Sequence, residues 1–173
     1  MERRDSSGLR TVPYDREKAV AYARRWAMSR NPAYYDYSSL GGDCTNFASQ
    51  CVYAGAGQMN FKPSVGWYYR NANNHSPSWT GVEYFYNFMV SNRREGPFMQ
   101  LVQLEELQPG DVIQIKFREP YFAHNPVVVS VGSPPDPSNI LIAAHTIDSL
   151  DRALDTYTYI ALRPLHVLGV RKW

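Results

Sequence analysis

Two apolar periodicities divide the chain, and this division limits the fold more than any other feature of the sequence. Up to about residue 92, apolar side chains recur every three or four positions, which predicts amphipathic helices. Beyond residue 110 they come in short runs rich in Val and Ile, which predict strands. Helices followed by strands favour an α+β domain, with N-terminal helices packed on a C-terminal antiparallel β-sheet.

Local signals bound the predicted elements. Asp15 can cap a first helix over residues 16–30. A second helix is predicted to begin at residue 43 or 44 and to stop at Gly55. The other predicted elements are a long loop over residues 58–77, a third helix over 79–92, and strands over 112–117, 127–131, 140–144, 157–162 and 166–170.

Length and composition indicate a single globular domain. The chain has 173 residues, of which 44% are hydrophobic and 20% charged. The polar residues 1–12 are expected to be a flexible lead-in to one domain over 13–173, and a monomer is expected. The net charge is +2 and the chain lacks a basic run, so nucleic acid is not an expected partner.

Targeting signals are weak. No apolar stretch approaches the roughly 18 residues of a membrane span, so none is expected. The polar residues 1–10 do not predict a signal peptide. A secreted or cell-wall-associated location is expected if a leader was removed, and a cytoplasmic one otherwise.

The two cysteines are predicted to be free thiols with different roles. Cys44 and Cys51 are seven positions apart, so on one helix they would lie about 10 Å apart, beyond the roughly 7 Å Cα limit for a disulfide. Cys51 has apolar neighbours and is predicted to be a core residue. Cys44 follows Gly41-Gly42-Asp43, which places it in the first turn of the second helix.

A cysteine in the first turn of a helix is a candidate nucleophile. The unpaired N–H groups and the positive end of the helix dipole favour the thiolate, so the pKa of Cys44 is predicted to be lowered. The same N–H groups could stabilise an oxyanion. The competing interpretation is a buried, inert thiol, but the Gly-Gly-Asp entrance favours the nucleophile.

Four histidines are candidates for the base that such a thiol needs. His124 precedes the predicted strand 127–131, and His145 ends the next predicted strand. If these strands pair antiparallel, the two rings could lie close together, with His145 orienting His124. His75 and His166 are expected to be structural.

Other side chains are weaker candidates. Asp148 and Asp151 are alternatives for the orienting residue. Asp43, Trp67 and Tyr37 are candidates for substrate binding, although aromatic side chains more often complete a core. The spacing of cysteines and histidines does not match a zinc site, so no metal or other cofactor is expected.

Several motifs together resemble the bacterial putative amidase domain family, which is similar to papain-like cell-wall peptidases and cysteine/histidine-dependent amidohydrolases. The resemblance covers roughly residues 13–170. Its motifs are Gly-Gly-Asp-Cys-Thr-Asn-Phe-Ala-Ser-Gln at 41–50, Tyr-Asp-Arg at 14–16, Ser-Trp at 78–79, Pro-Gly-Asp at 109–111, Ala-His at 123–124 and Ala-His-Thr at 144–146.

The resemblance implies a circularly permuted or reduced papain-like fold, with Cys44 as nucleophile, His124 as base and His145 as orienting residue. Asn125-Pro126 departs from the family pattern, in which the strand follows the histidine directly. The expected function is a cysteine amidohydrolase that cleaves a peptide or peptidoglycan-type amide through a thioester. An acyltransferase with the same residues, or a catalytically silent module that binds cell wall or peptide, is the alternative.

Overall fold

The computed structural model describes residues 3–173, so residues 1–2 of the expected lead-in lie outside the described residues. The helices are α1 Arg16–Trp26, α2 Cys44–Ala56, α3 Pro77–Thr80 and α4 Val82–Ser91. The strands are β1 Arg10–Val12, β2 Tyr69–Asn71, β3 Asn74–His75, β4 Gly96–Leu101, β5 Val112–Lys116, β6 Val127–Ser130, β7 Leu141–Ala144, β8 Ser149–Ala153 and β9 Ala161–Lys172. Short 3₁₀ helices occupy Leu104–Glu106 and Leu154–Thr156.

The strands form one antiparallel sheet and a small hairpin, so the α+β class is as predicted. The main sheet has seven strands in the order β1-β9-β5-β6-β7-β8, and β4 pairs with β9. Strands β2 and β3 pair with each other inside the segment 58–77, which was predicted to be a loop. None of the helices within residues 3–173 has the length and apolar character needed to cross a bilayer.

Both faces of the main sheet are buried. Val112 and Val127 point into the core shared with α1, α2 and α4. Their neighbours Ile113 and Val128 point into a second core, which also contains Leu154. This alternation follows from the period of two along a strand, so each strand supplies side chains to two separate cores.

The starts of α1 and α2 agree with the prediction, but the predicted end of α2 is wrong. The Asp15 carboxylate accepts from the Lys18 amide, as expected of an N-cap. Helix α2 continues through Gly55 to Ala56, and Gly57, whose φ is +63°, is its C-cap. The glycine at position 55 is explained by packing instead, since a Cβ there would lie 2.4 Å from the Tyr14 ring.

Long-range pairing accounts for the other differences. Residues 10–12, expected to be flexible, form β1 because they pair with the end of β9. Strands β4 and β8 were not predicted, and β4 exists because it pairs along β9. The predicted strand 157–162 begins only at Ala161. The third predicted helix is divided at Gly81, where φ is −111° and ψ is 130°.

Candidate active site

The turn before α2 delivers Cys44 to the first position of the helix, as predicted. Gly41 and Gly42 have φ of +98° and +111°, in the left-handed region that glycine tolerates. A Cβ at Gly42 would lie 3.1 Å from the Thr146 hydroxyl, so this turn also passes close to the segment after β7. The Gly-Gly pair therefore permits both the sharp turn and the close approach.

Asp43 stands at the N-cap position but uses its carboxylate elsewhere. Within the described chain, this carboxylate makes no hydrogen bond to the amides of the first turn. It accepts instead from the Tyr37 amide at 2.9 Å, from Asn46 Nδ2 at 2.9 Å and from His145 Nδ1 at 2.6 Å. The carboxylate is buried, so it cannot reach a substrate, and its predicted role in substrate binding is corrected to anchoring the start of α2.

His145 is buried beside α2, where both of its ring nitrogens are engaged. Nδ1 donates to the Asp43 carboxylate, which can only accept. Nε2 lies 2.8 Å from the Trp26 carbonyl oxygen and 3.2 Å from Arg30 Nη1. The ring stacks on Phe47 with centroids 4.0 Å apart. These contacts connect α1, α2 and β7, and they leave neither nitrogen to orient His124.

The two aspartates considered as alternatives are paired with arginines. The Asp148 carboxylate accepts from both Nη groups of Arg30, at 2.9 Å and 3.0 Å. Asp151 pairs with Arg24 on the surface, at 2.9 Å. Neither carboxylate is among the groups that contact the His124 ring.

The Cys44 sulfur is nearly covered and is surrounded by hydrogen-bond donors. The residue is 9% exposed, and Sγ lies 3.8 Å from Thr45 Oγ1. The backbone amides of Asn125 and Thr45 also donate to the sulfur. Burial nevertheless outweighs these bonds and raises the pKa of Cys44, so the predicted lowering of that pKa is wrong.

Cys51 is a core residue, as predicted. It is fully buried among apolar neighbours, and burial raises its pKa well above the ordinary value. Both cysteines are free thiols, which confirms the prediction from their spacing.

A β-bulge sets the position of His124. The amides of Ala123 and His124 both donate to the Ile115 carbonyl, at 2.9 Å and 3.3 Å, so two residues oppose one on β5. Such a bulge re-aims a side chain, and bulges are frequent beside active sites. The next peptide bond, between His124 and Asn125, supplies the N–H that donates to Cys44. The bulge therefore places the backbone that follows His124 against the Cys44 sulfur.

The His124 ring lies in a pocket of aromatic side chains. Nε2 is 3.3 Å from the Tyr157 hydroxyl, and the ring centroid is 6.2 Å from that of Phe117. The residue is 8% exposed. Burial lowers the pKa of His124 to about 4, with a further contribution from the charge of Arg152. The imidazole is therefore neutral near pH 7.

Asn125, which departs from the family pattern, is buried next to the start of α2. Its side chain is fully buried, and Nδ2 lies 3.5 Å from Thr45 Oγ1. Its Oδ1 has no hydrogen-bond partner among residues 3–173. Pro126 is compatible with the sheet because its carbonyl oxygen accepts from the Ile113 amide. The insertion thus continues the pairing with β5.

Trp67 and Tyr37, the other candidates for substrate binding, have structural contacts. Trp67 is fully buried, and its Nε1 donates to Ser49 Oγ, so its predicted role is corrected to that of a core residue. The half-buried Tyr37 donates its hydroxyl to the Ala72 carbonyl and packs edge-on against His75. His166 bonds to Asp111, so His75 and His166 both have structural partners, as expected.

The sequence did not reveal Tyr157, which contacts His124. It lies after the 3₁₀ helix Leu154–Thr156, in a segment predicted to begin a strand. No local pattern distinguishes it among the 13 tyrosines of the chain. Within residues 3–173, no group of three or more His, Cys, Asp or Glu side chains could hold a metal ion.

The fold and site define a class of protein: an α+β domain with a cysteine at a helix start and a histidine at the bulge before a strand. The family described as "Putative amidase domain" matches residues 13–168, and the chain belongs to this family. The predicted family resemblance is thereby confirmed, and it indicates amide hydrolysis at the level of the family description.

A curated relative extends the comparison. "Uncharacterized protein YhbB" of Bacillus subtilis (strain 168) is 38% identical over 153 residues, which are 86% of this chain and 46% of YhbB. The chain therefore spans less than half the length of that relative. No solved structure matches the chain.

Proposed function

We propose that this domain is a cysteine amidohydrolase in which Cys44 attacks the carbonyl carbon of an amide and His124 transfers the protons. One observation carries the proposal. The sulfur lies in the first turn of α2 and accepts the N–H of the peptide bond that joins His124 to Asn125. A helix-start thiol beside a histidine at a strand entrance also supports a papain-like arrangement, which we propose for the fold.

The proposed reaction has two halves. In the first, the thiol proton of Cys44 passes to His124 as the sulfur bonds to the carbonyl carbon. The imidazolium then protonates the departing amine as the C–N bond breaks, which leaves a thioester. In the second, water gives a proton to His124 as it attacks the thioester. The C–S bond breaks, the thiol regains its proton, and a carboxylic acid is released.

The start of α2 supports the proposal with unused donors. Because the Asp43 carboxylate is bonded to Tyr37, Asn46 and His145, it leaves the amides of the first turn without a side-chain cap. Helix-start amides are suited to an oxyanion. We propose the Cys44 amide as one such donor, since it is adjacent to the reacting sulfur.

The proposed substrate is a peptide or peptidoglycan-type amide. The family description supports an amide as the bond cleaved. Transfer of the acyl group to an amine instead of water would use the same thioester, so product analysis distinguishes amidase from acyltransferase.

Mass spectrometry tests the proposal directly. The wild type, Cys44→Ala and Cys51→Ala are incubated with peptides and peptidoglycan fragments, and both products and protein masses are recorded. We expect turnover and an acyl adduct on Cys44 in the wild type and in Cys51→Ala, and neither in Cys44→Ala. Wild-type turnover by Cys44→Ala would overturn the proposal.

The low exposure of Cys44 and His124, at 9% and 8%, favours a second candidate, a silent binding module. Labelling by iodoacetamide at mildly alkaline pH separates the two. In an amidohydrolase, Cys44 reacts faster than Cys51, and His124→Ala slows its labelling. In a silent module, His124→Ala leaves the labelling of Cys44 unchanged, and binding occurs without cleavage.

A further inference from the structure

We infer that Tyr157 is the positioning residue that orients the His124 imidazole, the role expected of His145 from the sequence. The inference rests on the proposed function. The Tyr157 hydroxyl is 3.3 Å from His124 Nε2, and the two ring centroids are 5.5 Å apart. With Nε2 facing this hydroxyl, Nδ1 is the nitrogen left to take the thiol proton of Cys44.

Tyr157 is itself held firmly. The Arg152 guanidinium lies over its ring, 3.7 Å from the centroid, and Arg152 Nε donates to Thr156 Oγ1 at 2.8 Å. The Tyr157 amide closes the 3₁₀ helix by donating to the carbonyl of Leu154, a fully buried residue. The hydroxyl position is therefore set by β8 and by the second core, independently of substrate.

The proposed reaction determines where the proton of the His124 ring must be. A neutral imidazole has one N–H and one nitrogen with a free lone pair. For Nδ1 to take the thiol proton, the ring hydrogen must be on Nε2. The Tyr157 hydroxyl oxygen, 3.3 Å from Nε2, is placed to accept that N–H.

The hydroxyl stays protonated in the working range. Burial is the main reason that the pKa of Tyr157 is raised above its ordinary value. The oxygen of a neutral hydroxyl can accept from Nε2–H, whereas His145 has both ring nitrogens engaged by Asp43, Trp26 and Arg30.

The test measures the tautomer of His124 by ¹⁵N NMR on the whole chain, without substrate. Wild type is expected to be the Nε2–H tautomer. Tyr157→Phe removes the acceptor, so the Nδ1–H form should rise to a comparable population. Tyr159→Phe is the matched control, because Tyr159 packs against the same core, and it should leave the tautomer unchanged.

A second variant covers the case in which Tyr157→Phe folds poorly. Tyr157→Leu also removes the hydroxyl oxygen and keeps an apolar side chain in the same cluster, so His124 should again shift towards the Nδ1–H form. A wild type in the Nδ1–H form overturns the inference. So does a tautomer that neither Tyr157→Phe nor Tyr157→Leu changes.

Kinetics add a second readout. Tyr157→Phe should lower kcat about 10- to 100-fold with KM little changed, because a misaligned base loses part of its contribution. It should also move the acid limb of the pH–rate profile to lower pH, since the imidazolium loses an acceptor. Tyr157→Gln supplies an acceptor oxygen and should recover part of kcat. If Cys44 is not catalytic, only the kinetic expectations fail. The tautomer measurement still tests whether the Tyr157 hydroxyl accepts from His124 Nε2–H.

Discussion

At the scale of single residues, burial sets the resting state of the candidate catalytic pair. It raises the pKa of Cys44 and lowers the pKa of His124 to about 4. Near pH 7 the thiol and the imidazole are therefore both neutral. In the proposed reaction the proton is therefore transferred as the sulfur attacks, and a preformed thiolate–imidazolium pair is not required.

The pH–rate profile is the first prediction at this scale. Activity should be lost in acid with a midpoint near the His124 pKa of about 4, because the protonated ring cannot accept the thiol proton. It should stay level through neutral pH and fall only in alkali, where the raised pKa of Cys44 is reached. Steady-state rates of the wild type and Cys51→Ala check this. An acid midpoint near 6.5 would contradict it.

The pH dependence of stability is the second prediction. The pKa of His124 is about 4 in the folded protein, and the reference value for the unfolded chain is 6.5. Between these two pH values the unfolded chain therefore binds more protons than the folded protein. The contribution of His124 to stability is complete above pH 6.5 and decreases as pH falls towards 4. The loss should reach about 3 kcal/mol.

Urea unfolding across this range measures that loss. The variant His124→Asn lacks the titrating group, so its free energy of unfolding should depend less on pH than that of the wild type. Parallel curves for the two proteins would show that the imidazole is not desolvated.

At the scale of elements, the start of α2 is attached to the end of β7. The Asp43 carboxylate bonds to His145 Nδ1 at 2.6 Å, and the Asp43 amide donates to Thr146 Oγ1 at 2.9 Å. Thr146 has a φ of +84°, a strained conformation for a β-branched residue. The strain persists because these bonds hold Thr146 against the Gly42 turn.

Replacing Asp43 tests this attachment. Asp43→Asn leaves His145 without a charged partner in a buried site, so we expect a loss of about 3 kcal/mol in the free energy of unfolding. We also expect a lower kcat, because Cys44 is the next residue. Chemical unfolding and turnover measure the two effects.

Asp36→Asn is the matched control for this prediction. Asp36 is an exposed partner of Arg30, which also lies 3.9 Å from the Asp43 carboxylate. An exposed ion pair contributes little, so this variant should stay within about 1 kcal/mol of wild type. Equal effects of the two substitutions would contradict the anchoring role of Asp43.

At the scale of the whole molecule, one buried carboxylate joins the helical half to the sheet. Asp111 accepts from Arg16 Nη1 at 2.7 Å, from the Val167 amide at 2.9 Å and from the Gln108 amide at 2.9 Å. His166 Nδ1 lies 2.8 Å from the same carboxylate. These contacts tie α1 to the start of β5 and to the middle of β9.

Asp111→Asn should therefore destabilise the entire domain. The substitution leaves the Arg16 charge without its buried partner, and we expect a loss of about 3 kcal/mol. Asp151→Asn is the control, because Asp151 pairs with Arg24 at the exposed surface and should matter by less than about 1 kcal/mol. Thermal and urea unfolding measure both, and similar values for the two variants would refute the prediction.

Much of the fold could be predicted because its signals are local. The cap at Asp15, the helix start at Cys44 and the β-branched run at Val127–Ser130 are each contained in a few neighbouring residues. The prediction that α2 ends at Gly55 was wrong. Position 55 is a glycine because Tyr14, 41 positions earlier in the chain, occupies the space that a side chain would need. Strand β1 was missed because its pairing partner is β9.

By itself, the sequence determined the α+β class, the family and the place of Cys44 at a helix start, because caps, periodicity and motifs act over short stretches of chain. Only the tertiary structure decided which groups the two histidines contact. His145 bonds to Asp43, 102 positions away, and His124 to Tyr157, 33 positions away. The burial of Trp67 and the raised pKa of Cys44 were also decided only by the tertiary structure. Desolvation and strand register arise from residues that are distant in the chain, so no local pattern encodes them.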